Sequence, residues 1–188
     1  HEKHRAVKPR MDIKNKFLFS LGIFSAKKNF HVLLPMMKHI EDFQLVIAGN
    51  KNTPYGNEME KKIVEMNLQD KILLTGEVSE EEKIWLYENC TAFLFPSLAE
   101  GFGMPVIEAM KAGKPVFSSK YSSLTEIGGD KSFYFENFET KAMSDFVNEK
   151  LNFFEQNKTT LTAELIQHAA KFTWKTCVKE YLKIYREM

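Results

Sequence analysis

"TAFLFPSLAEGFGMPVIEAMKAGKPVFSS", residues 91 to 119, opens and closes on a short apolar run and carries a helix start between them. "TAFLFPS" (91–97) and "KPVFSS" (114–119) read as buried strands, and Pro105 suits the first position of a helix, where its missing N–H costs nothing. Strand, loop, helix and strand at this spacing make one parallel crossover. The same grammar extends outward in both directions. "FLFSLG" (17–22), "QLVIAG" (44–49), "KILLTG" (71–76) and "SFYF" (132–135) are further strand candidates. Helical stretches separate them. Phe30, Leu33, Leu34, Met37 and Ile40 form one stripe that Pro35 should kink or delay, Glu58 to Asn67 is a second helix, and Ser79 with Glu82 has the form of a capping box opening a third. The expectation is an α/β fold: a doubly wound parallel sheet of about six strands with helices on both faces. Beyond the sheet, Met143, Phe146, Val147, Lys150 and Phe154 share one helical face, and Trp174, Val178, Tyr181, Leu182 and Tyr185 share another. The tail aromatics read most simply as packing residues.

In such a sheet ligands gather at the carboxyl ends of the strands, where loops and helix N-termini converge. Glu100 to Gly103 falls there. The first turn of the helix favours an anion, Gly101 and Gly103 let a ligand approach the backbone, and Glu108 stands about one turn into the helix. Two carboxylates would repel a phosphate, so their chemistry must lie elsewhere. Each accepts a pair of hydrogen bonds and suits vicinal hydroxyls, one pair on a ribose and one on a hexose. A cation is then needed at the phosphates, and "GIFSAKKNF" (22–30) supplies Lys27 and Lys28. A nucleotide diphosphate sugar meets all these demands. Alone, a glutamate pair eight apart is usually a solvated face, and Lys27 is equally well an ordinary surface lysine; the company of "PSLAEGFGMPVIEAM" reverses the first of these readings.

With "GEVSEEEKIWLYENC", "EGFGMPVIE", "EAMKAGKPV" and "SSLTEIGGD" in this order, residues 17 to 187 resemble the C-terminal, donor-binding half of a retaining glycosyltransferase of family four, with the GT-B fold. The resemblance implies catalytic roles for Glu100 and Lys28. It assigns Glu100 and the backbone of Gly101, Phe102 and Gly103 to the hexose, Met104, Pro105 and Val106 to the phosphates, and Glu108 to the ribose. Gly22, Lys27 and Lys28 would meet the diphosphate from the loop after the first strand. It further implies residues 1–16 as a linker or truncated inter-lobe segment, residues 17–188 as the donor domain, and a final helix near 173–187 that crosses to an N-terminal acceptor-binding lobe lying outside this sequence. The reaction implied is transfer of a hexose from a nucleotide sugar to a saccharide or lipid-linked acceptor, by a domain inactive in isolation; "SSLTEIGGD" leans toward GDP-mannose. One departure stands out. Many members carry arginine after the first glycine, where this chain has Ile23, so a non-catalytic nucleotide-sugar binding module or an epimerase of the same fold stays open as an alternative.

Composition bounds the rest. The 188 residues suffice for one domain burying roughly 70% of its unfolded surface, and 26 basic against 25 acidic side chains leave no global field to draw nucleic acid. No run approaches the length of a membrane span, although peripheral contact of a full-length protein with the inner face of a membrane stays open. Cys90 and Cys177 match no metal or redox spacing and read as buried, reduced thiols of a cytoplasmic protein. The histidines share no ligand spacing and Asp-x-Asp is absent, so neither metal nor cofactor is expected and the diphosphate would be neutralised by lysine and helix terminus.

Overall fold

The computed structural model describes residues 5–14 and 16–187. Six strands, β1 (Phe17–Leu21), β2 (Gln44–Ala48), β3 (Ile72–Gly76), β4 (Ala92–Phe95), β5 (Val116–Ser118) and β6 (Phe133–Tyr134), form one sheet in the order β3-β2-β1-β4-β5-β6. All five pairings are parallel. The expected doubly wound α/β fold is therefore present. β1, β2 and β4 are buried along almost their whole length, because helices cover both faces and leave no polar face to alternate with.

Period-two alternation divides the core between those faces. Phe17, Phe19, Phe93 and Phe95 point to one layer and pack with α3 (Glu80–Asn89), α4 (Met104–Lys111), α5 (Leu124–Gly128) and α7 (Lys158–Ala169). Leu18, Leu45, Ile47 and Leu94 point to the other and meet α1 (Leu33–Met36), α2 (Pro54–Glu65) and α6 (Thr140–Gln156). The first crossover is not a continuous helix. Three short 3-10 segments, Ala26–Lys28, Phe30–Val32 and Met37–His39, flank the single α-turn around Pro35, as the proline anticipates. Ser79 and Glu82 make the capping box reciprocally at α3.

Two expectations fail on the last helix of the chain. The aromatics of α8 (Trp174–Glu187) do not pack: Trp174 is 85% exposed and Tyr185 70%, and no residue of this helix is buried. An amphipathic stripe in sequence reports that a face seeks apolar cover, and it does not say that the cover belongs to the same residues. On the same helix Cys177 is half-buried, not buried; both cysteines are free. At the other end, Ile13, 5% exposed, joins the core beneath β1. Among the described residues no helix is long and apolar enough to cross a membrane.

Candidate functional site

The strand order reverses between β1 and β4, so the loops that follow these two strands diverge and open a crevice at their carboxyl ends. The first loop runs from Gly22 through Lys28, the second from Pro96 to Gly103. Three contacts tie the first loop to the second and to the end of β4. Leu98 N–H donates to Lys27 O at 2.7 Å, Lys28 Nζ donates to Glu100 Oε1 at 2.7 Å, and the same ammonium lies 4.7 Å from the centre of the Phe95 ring. The Lys28 and Glu100 side chains are only 10% and 12% exposed. In such a site an ion pair is held in one geometry, and removing either member strands the other charge. Lys27, by contrast, is exposed. The structure thus sets Lys28 apart from Lys27 by burial.

Gly22 makes Lys28's position attainable. Its φ of +152° disfavours other residues, and a Cβ there would lie 2.8 Å from Lys28 Cε, where something would have to shift. The lysine stem runs across the space a side chain would fill.

The second loop is held by its carbonyls. Ser122 Oγ accepts Glu100 N–H at 2.8 Å and donates to Glu100 O at 3.0 Å; Ser123 Oγ donates to Phe102 O at 2.8 Å. Gly103, at φ +107°, caps α4 with its backbone, and its carbonyl accepts Val106 N–H at 3.0 Å. The N–H groups of Gly101, Phe102, Gly103 and Met104 consequently have no acceptor among the described residues. Of Met104, Pro105 and Val106, only Met104 has an N–H without an acceptor among the described residues, because Pro105 has none and Val106's is used within the turn. Phe102 and Met104 expose their side chains beside these groups.

Glu108 sits on α4 but is tied to α3. Tyr87 Oη donates to Glu108 Oε2 at 3.0 Å, and Lys83 Nζ lies 3.4 Å from Glu108 Oε1 and 2.8 Å from Glu80. Burial, reinforced by the Glu108 charge, pushes the Tyr87 phenol well above its ordinary value, so the proton needed for that hydrogen bond is retained. Burial opposes the charge on Lys83, but its bonds to Glu80 and Glu108 outweigh it and hold the ammonium above its usual range. Sequence reasoning named neither Tyr87 nor Lys83. The signal available was the helix that opens at Ser79, whose second turn faces Glu108.

A concavity of about 880 Å³ lies elsewhere. It is lined by Lys16, Phe43, Thr91 and Pro115, each just before a strand, and so opens at the opposite end of the sheet from this set. Among the described residues no group of three or more His, Cys, Asp or Glu side chains could hold a metal ion.

The sequence pattern of glycosyl transferases group 1 matches residues 2–172. The chain belongs to this family. Among curated relatives, O-antigen chain mannosyltransferase B of Escherichia coli is 27% identical over 173 residues, 88% of this chain and 44% of that protein. O-antigen chain mannosyltransferase RfbU of Salmonella typhimurium is 31% identical over 121 residues, 64% of this chain and 34% of its own length. The chain thus spans less than half the length of these glycosyl transferases. Among solved structures, a glycosyltransferase from Rickettsia africae aligns with a TM-score of 0.82 at 19% identity, covering 93% of this chain and 48% of that one. HepE from Anabaena, solved in complex with UDP-glucose, aligns at 0.80 and 20% identity, covering 93% and 50%. The fold is that of one Rossmann-like lobe of a GT-B glycosyltransferase.

Proposed function

We propose that this chain is the donor-binding half of a retaining hexosyltransferase, and that its donor is GDP-mannose. The observation that carries the reading is the meeting, at the switch point of the sheet, of the Lys28 ammonium, the Glu100 carboxylate and a run of free N–H groups from Gly101 to Met104. Together they match a diphosphate joined to a polyhydroxylated ring. In this assignment Lys28 and Met104 N–H meet the phosphates, and Lys28 keeps two of its three N–H donors for them because Glu100 takes only one. Glu100 and the backbone of Gly101 to Gly103 hold hexose hydroxyls, and Glu108 holds the ribose.

Catalysis in this reading is electrostatic. As the bond between the anomeric carbon and the diphosphate breaks, negative charge grows on the leaving oxygen, and a fixed ammonium and N–H dipole stabilise it without reorganising. The acceptor, a saccharide or lipid-linked saccharide, would be held by a second lobe supplied by the rest of the polypeptide, against which the bare apolar face of α8 would dock. The mannosyltransferase relatives support mannose as the sugar.

A thermal-shift and calorimetric panel of GDP, UDP and ADP with their hexose esters tests the reading. Binding of a nucleoside diphosphate without sugar transfer is expected; sustained transfer to an added saccharide by the 188-residue chain would overturn the half-enzyme assignment. Exposed Ile23, 63% accessible and uncharged beside the diphosphate position, favours a second reading, a binding module without catalysis. A full-length protein that binds the nucleotide sugar and never turns it over would establish that alternative.

A further inference from the structure

We infer that Ser122 and Ser123 are positioning residues for the donor loop, acting on the hexose through Glu100 and the backbone of Gly101 to Gly103; the inference rests on the hexose reading of that loop. Both serines lie between β5 and α5, more than twenty residues from the loop in sequence, with separations of 22 for the Ser122 to Glu100 bonds and 21 for the Ser123 to Phe102 bond. Their hydroxyls do three things. Ser122 takes both backbone groups of Glu100, N–H by acceptance and C=O by donation, which fixes the peptide planes on either side of that residue. Ser123 donates to Phe102 O at 2.8 Å and reaches Glu100 O at 3.4 Å. The carbonyls of the loop are thereby turned onto the serines. The opposite ends of the same planes, the N–H groups of Gly101 and Gly103, are left without acceptors in the chain.

The backbone at Ser122 argues that this clamp is specific. Ser122 sits at φ +50°, one of three non-glycine residues with positive φ among the described residues. An L-residue enters that region at a cost of order 1 kcal/mol, which the surrounding structure has to offset. Two hydrogen bonds to one residue of the donor loop supply that offset. Glu100 is then gripped from both sides, its main chain by Ser122 and its carboxylate by Lys28. A carboxylate that must meet two sugar hydroxyls at once depends on such placement, because its orientation is set before the sugar arrives.

Calorimetry on the 188-residue chain tests this with GDP and GDP-mannose, UDP and UDP-glucose, and ADP and ADP-glucose, using the pair that binds most tightly. The quantity read is the affinity for the sugar ester relative to that for the bare diphosphate. Ser122→Gly is the variant of choice, since glycine accepts φ +50° without strain while the hydroxyl is removed. Its relative affinity should fall by roughly 5-fold to 20-fold. Glu100→Gln should lower the same ratio, and the double variant should fall by less than the product of the two single losses, the sign that the serine acts in part through the glutamate. Ser123→Ala should lower it too and Ser123→Thr restore it. If Glu100→Gln lowers the ratio and Ser122→Gly does not, or lowers only the melting temperature, the clamp is structural and the proposal fails while the hexose reading stands. Additive losses in the double variant also overturn it. If Glu100→Gln leaves the ratio unchanged, or no pair binds, the hexose reading fails and the clamp with it.

Discussion

Lys28 Nζ lies 2.7 Å from Glu100 Oε1, across 72 residues of sequence, and each side chain is nearly closed off from solvent. The pair has two separable consequences. Lys28→Ala should weaken binding of the nucleoside diphosphate by about 10-fold to 100-fold and leave the bare nucleoside unaffected, because only the phosphates meet the ammonium. It should also lower stability by about 1–3 kcal/mol, since the Glu100 carboxylate is left without its cation. Lys28→Met combined with Glu100→Gln should recover much of the stability and none of the affinity. Urea titration reads the first and calorimetry the second; equal diphosphate affinity in Lys28→Ala would return this lysine to the structure and give its role to Lys27.

Tyr87 and Glu108 form the second cross-element contact. Tyr87→Phe removes the donor at Oε2 while keeping the ring packed against Phe19 and Phe93. A hydrogen bond to a charged group is worth about 1.5–3 kcal/mol, but Lys83 stays in reach of the carboxylate and will absorb part of the loss. We expect bare diphosphate and sugar ester to weaken together, by roughly 3-fold to 10-fold in calorimetry. A loss confined to the sugar ester would put Glu108 at the hexose instead of the ribose.

The sheet was legible because a strand buried on both faces needs no polarity pattern to be recognised: Val46, Ile47 and Phe93, Leu94 announce themselves as apolar runs. The same holds for Ser79 and Glu82, three residues apart and acting on each other locally. α7 was missed. Its buried residues are Leu165, His168 and Ala169, and "KTTLTAELIQHA" spends its first turns on lysine and threonine, so no stripe stands out. Within the candidate site, Glu100, Glu108 and the Lys27–Lys28 pair could be proposed from the chemistry they offer. What they touch was not legible, because Tyr87, Lys83 and the Ser122–Ser123 clamp are brought in by the packing of α3 and by the turn before α5, and no local pattern encodes a bond between residues 22 apart. α8 was legible as a helix and misread as core for the same reason: periodicity gives a face and not its partner.

That misreading yields its own test. Since Val178 and Leu182 are about half exposed, Val178→Ser and Leu182→Ser remove no buried contact in this chain. The melting temperature should stay within about 2 °C of the parent, as for other surface changes of a few tenths of a kcal/mol. A drop beyond about 5 °C would mean that α8 packs on the domain in solution.

Alkaline pH should destabilise the fold through two groups that do not touch the donor. Burial pushes the Cys90 thiol from its ordinary 9.0 up to about 12, and burial and the Glu108 charge raise the Tyr87 phenol well above 10.0. Between these values the folded chain holds protons that the unfolded chain has released. Stability is therefore fully present below about pH 9 and falls as pH rises toward 12, by up to about 1.4 kcal/mol per unit for the thiol alone. Cys90→Ala should be less stable than the parent near neutrality, from the lost packing, yet show a shallower decline between about pH 9 and pH 10.5. Identical slopes in urea unfolding would rule out Cys90 as the source.

Glu100 and Glu108 can be told apart by what each ligand carries. Both the bare nucleoside diphosphate and its sugar ester contain the ribose, whereas only the ester contains the hexose. If Glu108 meets the ribose, Glu108→Gln should weaken both ligands by similar factors; if Glu100 meets the hexose, Glu100→Gln should weaken the ester selectively. Charged hydrogen bonds of about 1.5–3 kcal/mol put each loss near 10-fold to 150-fold, within calorimetric range. One complication follows from the geometry: Glu100 also holds Lys28, so its neutralisation loosens the ammonium and costs the bare diphosphate some affinity as well. The decisive comparison is therefore with Lys28→Ala in place. In that background the indirect route is closed, and Glu100→Gln should leave the diphosphate unchanged and still weaken the ester. Equal losses for both ligands there would remove Glu100 from the hexose and leave it as the anchor of Lys28 alone.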